Sequence, residues 1–268
     1  MQESVSQMDD LPTIDAHAHV WDRECTFVPG TRYHPAYEAT IDTYLRVLDG
    51  HEVGRAVLVQ PSFLGTDNTY LLATLRAHPD RLRGIVVVDP SISEEALDAM
   101  ADAGVIGVRY NLLSMSSRLL SCTEWQDLTA RIAARGWWIE IQAMGADWPE
   151  ILPNVADAKL MIDHFGKPDG ADCAGLAALL GRDPTRTCVK LSAPYRQRPQ
   201  DLSAAAQRVV ARFGAHRCLW GSDWPWTQHE GLHTYRDCQS WLLDWTNEEQ
   251  RRNMAGAAPA LTGFAPAP

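Results

Sequence analysis

Short apolar runs alternate with longer amphipathic stretches along almost the whole chain. Runs that are apolar on both faces are typical of buried strands, and their regular alternation with helices implies parallel βαβ units. The predicted strands are Thr13–His17, Arg55–Gln60, Gly84–Val88, Ile106–Tyr110, Trp138–Gln142, Leu160–Asp163, Cys188–Leu191 and Cys218–Gly221. The predicted helices are 40–50, 68–78, 93–103, 123–135, 146–153, 172–180, 200–213 and 233–244.

Eight such units in 268 residues predict a single (β/α)8 barrel over residues 1–268. A doubly wound open sheet is the alternative. A further helix should follow Thr246, with Thr246 as its N-cap and Glu249 closing a capping box. We expect this helix to cover the outside of the barrel.

Polar residues follow several predicted strands. His17 and His19 alternate at the end of the first strand, so their side chains should point the same way. In a barrel, residues at the carboxyl ends of the strands converge on one pocket. The others that should converge there are Arg109, Glu140, Gln142, Asp163, His164, Lys190, Ser192, Tyr195, Arg196 and Asp223.

Several of these residues also have a purely structural interpretation. Arg109 could instead pair with Glu140 inside the barrel. Asp163 should face away from its neighbour His164 and act as a structural hydrogen-bond acceptor, and Lys190 is also expected to be structural. Five other histidines are expected at the surface: His51, His78, His216, His229 and His233.

A long stretch from Trp21 to Ala39 separates the first strand from its helix and contains Tyr37. In a barrel this stretch is a loop on the face where active sites form. Loops of this length are often lids or binding loops.

Charge and composition limit the partners. The net charge is −10, which argues against non-specific binding of nucleic acid or of an anionic membrane. The six cysteines form no CxxC pair. The first ten residues carry no signal-peptide pattern and no apolar run approaches about 18 residues, so we expect a cytoplasmic protein. An anionic substrate would need a local cluster of arginines.

Three imidazoles, a carboxylate and nearby arginines in one pocket indicate hydrolysis. Asp223 could take a proton from water while the histidines polarise a carbonyl, directly or through a metal. Arginines could grip a substrate carboxylate as bidentate forks.

Together these motifs resemble the amidohydrolase superfamily, in particular its branch of 2-pyrone-4,6-dicarboxylate and sugar-acid lactonases. The resemblance covers nearly the whole chain. It is carried by Ile14-Asp15-Ala16-His17-Ala18-His19-Val20, Gly107-Val108-Arg109-Tyr110-Asn111, Asp163-His164-Phe165-Gly166-Lys167-Pro168, Val189-Lys190-Leu191-Ser192, Trp220-Gly221-Ser222-Asp223-Trp224-Pro225 and the closing 253–261.

The resemblance implies a (β/α)8 barrel that hydrolyses a lactone. It implies that His17, His19 and His164 polarise the carbonyl and that Asp223 activates water and then protonates the leaving oxygen. It also implies that Arg109 and Arg196 hold substrate carboxylates. The further candidates for substrate binding are Lys167, Arg118, Gln142 and Tyr37.

Two positions depart from the family pattern. The second arginine after the fourth strand is replaced by Met115, which leaves Arg118 as the nearest arginine. The arginine after the sixth-strand histidine corresponds to Lys167, which is a point charge and not a fork.

We expect no cofactor and no metal, because Arg109 lies where metal-dependent members carry further ligands. The alternative is a single zinc on His17, His19, His164 and Asp223.

The substrate should be a small anionic lactone. The competing functions are a metal-dependent hydrolase or decarboxylase, a lactone isomerase and a non-catalytic binding barrel.

Overall fold

Eight short strands follow one another along the chain in the computed structural model, which describes residues 11–113, 115–197 and 201–265. All of them are parallel to their neighbours, and their order in the sheet is their order in the sequence. They are β1 Ile14–Ala18, β2 Arg55–Val59, β3 Leu82–Val86, β4 Val105–Asn111, β5 Trp138–Gln142, β6 Lys159–Ile162, β7 Thr187–Leu191 and β8 Cys218–Trp220.

The sheet closes on itself between its first and last strands. The chain just after β8 bridges to β1, with Ala18 opposite Trp224 in parallel register. The Asp223 amide donates to the His17 carbonyl at 2.8 Å, and the His19 amide donates to the Trp224 carbonyl at 2.8 Å. The open-sheet alternative is therefore wrong, and the predicted barrel is confirmed.

Helices connect the strands, and one more follows the last unit. In the described ranges they are α1 Ile41–Gly50, α2 Thr69–Ala77, α3 Glu94–Asp102, α4 Thr123–Ala134, α5 Trp148–Ile151, α6 Ala174–Leu180, α7 Ser203–Phe213, α8 Tyr235–Trp245 and α9 Glu248–Leu261. Helix α5 is much shorter than predicted because Pro153 cannot donate the hydrogen bond that an α-helix needs. The predicted start of the seventh helix at residue 200 lies outside the described residues.

The last helix begins one residue later than predicted. Asn247 is its N-cap and forms the capping box with Gln250. Thr246 is not available for this role, since its hydroxyl donates to the Leu242 carbonyl at 2.6 Å and so belongs to the end of α8. The predicted box of Thr246 and Glu249 is therefore wrong by one position.

Helix α9 closes the amino-terminal end of the barrel. Ala258 and Leu261 pack with Ile14, Trp138 and Leu219, which lie at or near the strand starts. The Trp138 indole also donates to the Leu261 carbonyl at 2.9 Å. The carboxyl ends of the strands are thereby left as the open face of the barrel. No helix of the described chain is both long and apolar enough to cross a bilayer.

Candidate active site

A polar cavity opens at the carboxyl ends of the strands, where the sequence places it. Its chemistry comes from one carboxylate, two imidazoles and four basic side chains, surrounded by amide and hydroxyl groups. The lining residues with polar side chains are His19, Arg32, Tyr33, Ser62, Arg109, Asn111, Gln142, Lys167, Arg196, Asp223, Thr227, Gln228 and His229. The imidazoles of His17 and His164 lie just beneath this lining and are fully buried.

Asp15 anchors the first strand to the loop after β8. Its Oδ1 accepts the amides of His17 at 3.1 Å and Ser222 at 2.9 Å. Its Oδ2 accepts the hydroxyls of Tyr44 at 2.7 Å and Tyr235 at 3.0 Å. This fully buried carboxylate therefore fixes the backbone that carries His17 and, through Ser222, the backbone before Asp223.

His19 has a defined tautomer. Its Nδ1 lies 2.7 Å from the Val59 carbonyl, which can only accept, so Nδ1 carries the proton. Burial lowers the pKa of His19, which keeps the ring neutral. Its Nε2 lone pair consequently points into the cavity, 3.5 Å from Asp223 Oδ1. A neutral His19 cannot donate a hydrogen bond to a substrate carbonyl.

His17 occupies the centre of the histidine group. Its Nε2 lies 3.7 Å from Asp223 Oδ1, and this Nε2 has no hydrogen-bond partner among the described residues. Burial, followed by the charge of Lys190, lowers the pKa of His17 well below its usual range. The ring is therefore neutral and can carry its single proton on either nitrogen.

His164 approaches from the turn after β6. Its ring centroid is 4.9 Å from that of His17, and its Nδ1 is 2.8 Å from the Ser192 hydroxyl. Burial lowers the pKa of His164 to about 3, and its Nε2 has no partner within the described chain.

Asp163 and His164 do not face opposite ways, as simple strand alternation predicted. The carboxylate and the imidazole both approach His17. The reason is that β6 ends at Ile162, and the backbone from His164 onward has positive φ values that redirect the side chains. Asp163 does accept a hydrogen bond, from Arg109 at 3.0 Å, so its predicted acceptor role is present as well.

Asp223 is held as a buried carboxylate. Its Oδ2 accepts the Tyr195 hydroxyl at 2.6 Å and the Arg196 guanidinium. Burial alone would raise the pKa of Asp223, but the charge of Arg196 outweighs it and holds the pKa well below its usual range. Its Oδ1 has no hydrogen-bond partner in the described ranges and faces both His17 and His19. One oxygen is thus fixed and the other is available for chemistry.

The basic residues have two kinds of position. Arg109 both lines the cavity and reaches inward, 3.5 Å from Glu140, so the predicted ion pair exists beside the predicted cavity role. It also donates to Gln142 at 3.0 Å. Lys167 donates to the Arg196 carbonyl at 2.7 Å, and burial together with the charge of Arg196 lowers its pKa to about 8.

Two predicted substrate-binding residues do not line the cavity. The Arg118 side chain is 88% exposed and lies 4.0 Å from Glu150. Arg118 lies in the short 3-10 helix Ser117–Ser121 and not at the end of β4, so proximity in sequence to Arg109 does not bring it inward. Tyr37 is not part of the cavity lining, and its hydroxyl donates to Glu230 at 2.8 Å.

Several polar residues of the cavity lining were not expected there, among them Arg32, Tyr33 and His229. Arg32 and Tyr33 come from the long loop after β1, and His229 comes from the loop after β8. The length of the first loop was the only signal for Arg32 and Tyr33. His229 carried no signal of this role; it is partly exposed, in line with its predicted surface position, and borders the cavity.

The donor set has the composition of a divalent metal site. His17, His19 and Asp223 offer ligand atoms within 4.8 Å of one another, and so do His17, Asp163 and His164. The unpartnered Nε2 of His17 and Oδ1 of Asp223 suit a single zinc ion in the first group. The cationic Arg196, bound to Asp223, opposes a second positive charge at this point.

Comparisons with known proteins were made for both sequence and fold. The model of the family described as "Amidohydrolase" matches residues 14–261. The 2-pyrone-4,6-dicarboxylate hydrolase of Comamonas testosteroni is 30% identical over 254 residues, which cover 87% of this chain and 82% of that protein. The D-galactarolactone isomerase of Agrobacterium fabrum is 23% identical over 80% of this chain and 77% of its own length.

Solved structures include a "probable 2-pyrone-4,6-dicarboxylic acid hydrolase" from Acinetobacter baumannii with citric acid bound. It is 32% identical, superposes with a TM-score of 0.87, and the match covers 94% of this chain and 99% of that chain.

Proposed function

Because this chain belongs to the amidohydrolase family, we propose that it hydrolyses the ester bond of a small lactone that carries carboxylate groups. The observation that carries this proposal is the charge of the cavity. Arg32, Arg109, Lys167 and Arg196 border it, whereas Asp223 is the one carboxylate that lines it within the described chain. In a protein with a net charge of −10, this local excess of basic groups favours an anionic substrate.

The relatives agree with such a substrate. A 2-pyrone-4,6-dicarboxylate is a lactone with two carboxylates, and the Acinetobacter baumannii protein binds citric acid, a tricarboxylic acid. We propose that Arg109 and Arg196, with Lys167 and Arg32, hold the carboxylates of the substrate here. Gln142 contributes an amide at the same wall.

The attacking water is placed by two acceptors. Asp223 Oδ1 and the His19 Nε2 lone pair are 3.5 Å apart, so one water molecule can donate a hydrogen bond to each. As the water attacks the carbonyl carbon, its proton passes to Asp223. The ring C–O bond then breaks and Asp223 returns the proton to the leaving oxygen, which gives a carboxylic acid and a hydroxyl group. General-base catalysis of this kind contributes about 10²–10⁴-fold in rate.

The carbonyl oxygen is polarised by the other two histidines. His17 and His164 each have an Nε2 without a partner in the described chain. A ring whose proton is on Nε2 can donate to the developing oxyanion, as His164 does when the Ser192 hydroxyl donates to its Nδ1. His19 cannot share this role, because its single ring proton is on Nδ1 and is donated to the Val59 carbonyl.

We propose that this reaction needs no metal. If a zinc ion is bound, His17, His19 and Asp223 would hold it, with His164 beside it, and it would act as a Lewis acid toward the carbonyl oxygen. A metal-dependent hydrolase or decarboxylase is therefore the alternative.

A lactone isomerase is the second candidate. The similarity to the galactarolactone isomerase favours it, because the same pocket could return the acyl group to another hydroxyl of the substrate. The two functions differ in their products, since an isomerase gives a new lactone and a hydrolase gives an open acid.

The experiment is a panel of lactones that differ in carboxylate number. Acid release is followed in a pH-stat with 2-pyrone-4,6-dicarboxylate, a monocarboxylated muconolactone, galactarolactone and a neutral aldonolactone, and the products are identified by NMR. We expect acid release from carboxylated lactones and a much lower kcat/KM for the neutral one. Product that remains a lactone would favour the isomerase, and preference for the neutral lactone would contradict the proposal.

A further inference from the structure

Lys190 lies beneath the histidine group and not at the cavity surface. Its side chain is fully buried inside the barrel, between β5 and β1. Its Nζ donates to Glu140 and lies 3.0 Å from His17 Nδ1 and 3.5 Å from Asp163 Oδ1. An ammonium has only N–H groups and no acceptor, so Lys190 can only donate in its hydrogen bonds with Glu140 and His17 Nδ1.

Two groups compete for His17 Nδ1. A hydrogen bond from Lys190 requires that Nδ1 be an acceptor, which puts the proton of the ring on Nε2. A hydrogen bond to Asp163 Oδ1, 3.2 Å away, would require the opposite tautomer. However, this Oδ1 has no hydrogen-bond partner in the part of the chain that the structure describes, so its contact with Nδ1 is not aligned for one.

From this geometry we infer that Lys190 is a positioning residue that fixes His17 in the tautomer with its proton on Nε2. His17 then presents a hydrogen-bond donor to the substrate carbonyl and not a lone pair to a metal ion. The catalytic part of this inference rests on the proposed function, but the tautomer itself does not.

The two histidines of the first strand are thereby given opposite tautomers by different partners. The Val59 carbonyl accepts the hydrogen bond from His19 Nδ1–H, which leaves a lone pair on His19 Nε2 for the water. Lys190 donates a hydrogen bond to His17 Nδ1, so the single proton of this ring is on Nε2 and can be donated to the carbonyl oxygen. The side chain of Lys190 therefore accounts for how adjacent imidazoles perform different tasks.

The inference is tested first on the unmodified protein. Long-range ¹H–¹⁵N correlation spectra at pH 7, after removal of metal with a chelator, distinguish the neutral tautomers of histidine. The His17 signals are assigned by their loss in His17→Gln. We expect the proton on Nε2 for His17 and on Nδ1 for His19. A proton on Nδ1 of His17 would overturn the inference.

The second measurement uses Lys190→Met, which removes the donor while keeping the length of the side chain. His17 Nδ1 can then donate to Asp163, and Nε2 gains a lone pair that can bind a metal. We expect zinc, titrated in competition with a chromophoric chelator, to bind at least about 10-fold more tightly than to the unmodified protein.

Lys167→Met is the matched control, because it removes a positive charge from the cavity without touching His17. An equal gain in zinc affinity in both variants would mean that only charge matters, and would contradict the inference. If Lys190→Met does not fold, the spectra of the unmodified protein still decide the question. Neither readout needs a substrate, so failure of the lactonase proposal would appear separately, as an absence of turnover.

Discussion

Replacing Arg196 should move the acid limb of the pH–rate profile. Asp223 acts as the base only when it is ionised, and Arg196 is the largest of the influences that keep its pKa low. In Arg196→Met the carboxylate remains buried and keeps the Tyr195 hydroxyl at 2.6 Å, but it loses its ion pair. An opposite charge in direct contact with a carboxylate lowers its pKa by about 1–3 units, which corresponds to about 1.4–4 kcal/mol.

The sign of the change follows from the direction of the shift. A lowered pKa leaves Asp223 ionised down to acid pH, so the unmodified enzyme should keep its kcat/KM as the pH falls to about 5. Loss of Arg196 raises the pKa, and the acid limb of log kcat/KM should move upward by about 1–3 pH units. The assay is pH-stat hydrolysis of the best lactone between pH 4.5 and 9.

The control for this shift is Arg32→Met, which removes a cavity arginine that is not among the main influences on the pKa of Asp223. It should raise KM and leave the position of the acid limb unchanged. If Arg196→Met only raises KM and its acid limb stays in place, the assignment of Asp223 as the base under the control of Arg196 is refuted.

Three further outcomes follow from other contacts. Arg32→Gln should raise KM about 10-fold for a dicarboxylated lactone, because Arg32 lines the cavity. Arg118→Gln changes an exposed side chain outside the lining and should leave KM unchanged. Equal effects of the two substitutions on KM would contradict the assignment of Arg32 to substrate binding. Asp15→Ala leaves four donors without an acceptor and should lower the free energy of unfolding, measured by urea titration, by at least about 3 kcal/mol. The control is Asp80→Ala, which changes an exposed carboxylate. An equally small decrease in the free energy of unfolding for both variants would refute the anchoring role of Asp15. Tyr37→Phe should change KM less than Tyr33→Phe, because Tyr37 does not line the cavity; the reverse order would be inconsistent with this.

The barrel could be predicted from sequence because its signal is repeated. Each buried strand is a short apolar run, and eight such runs alternate with helices in a chain of suitable length. His17, His19 and Asp223 could be placed in one pocket because they follow strands that become neighbours only when a barrel closes. Closure between Ala18 and Trp224 is what brings them together.

The remaining features depend on side-chain direction, which a periodic pattern does not determine outside regular strands. The positive φ of His164 turns its imidazole toward His17, so that Asp163 and His164 share a site although they are adjacent. Arg32 reaches the cavity from a loop without regular structure, where no spacing rule applies. The tautomers of His17 and His19 depend on partners more than 30 residues away in sequence, Lys190 and Val59.

The most direct test of the account is turnover by the metal-free enzyme. The protein is stripped with a chelator, its zinc, iron and manganese contents are measured, and kcat is determined for the best carboxylated lactone beside Asp223→Asn treated in the same way. The account predicts full activity of the stripped enzyme and at least about a 10²-fold lower kcat for Asp223→Asn. Loss of activity on stripping that returns with added zinc, or an Asp223→Asn variant as active as the unmodified enzyme, would contradict it.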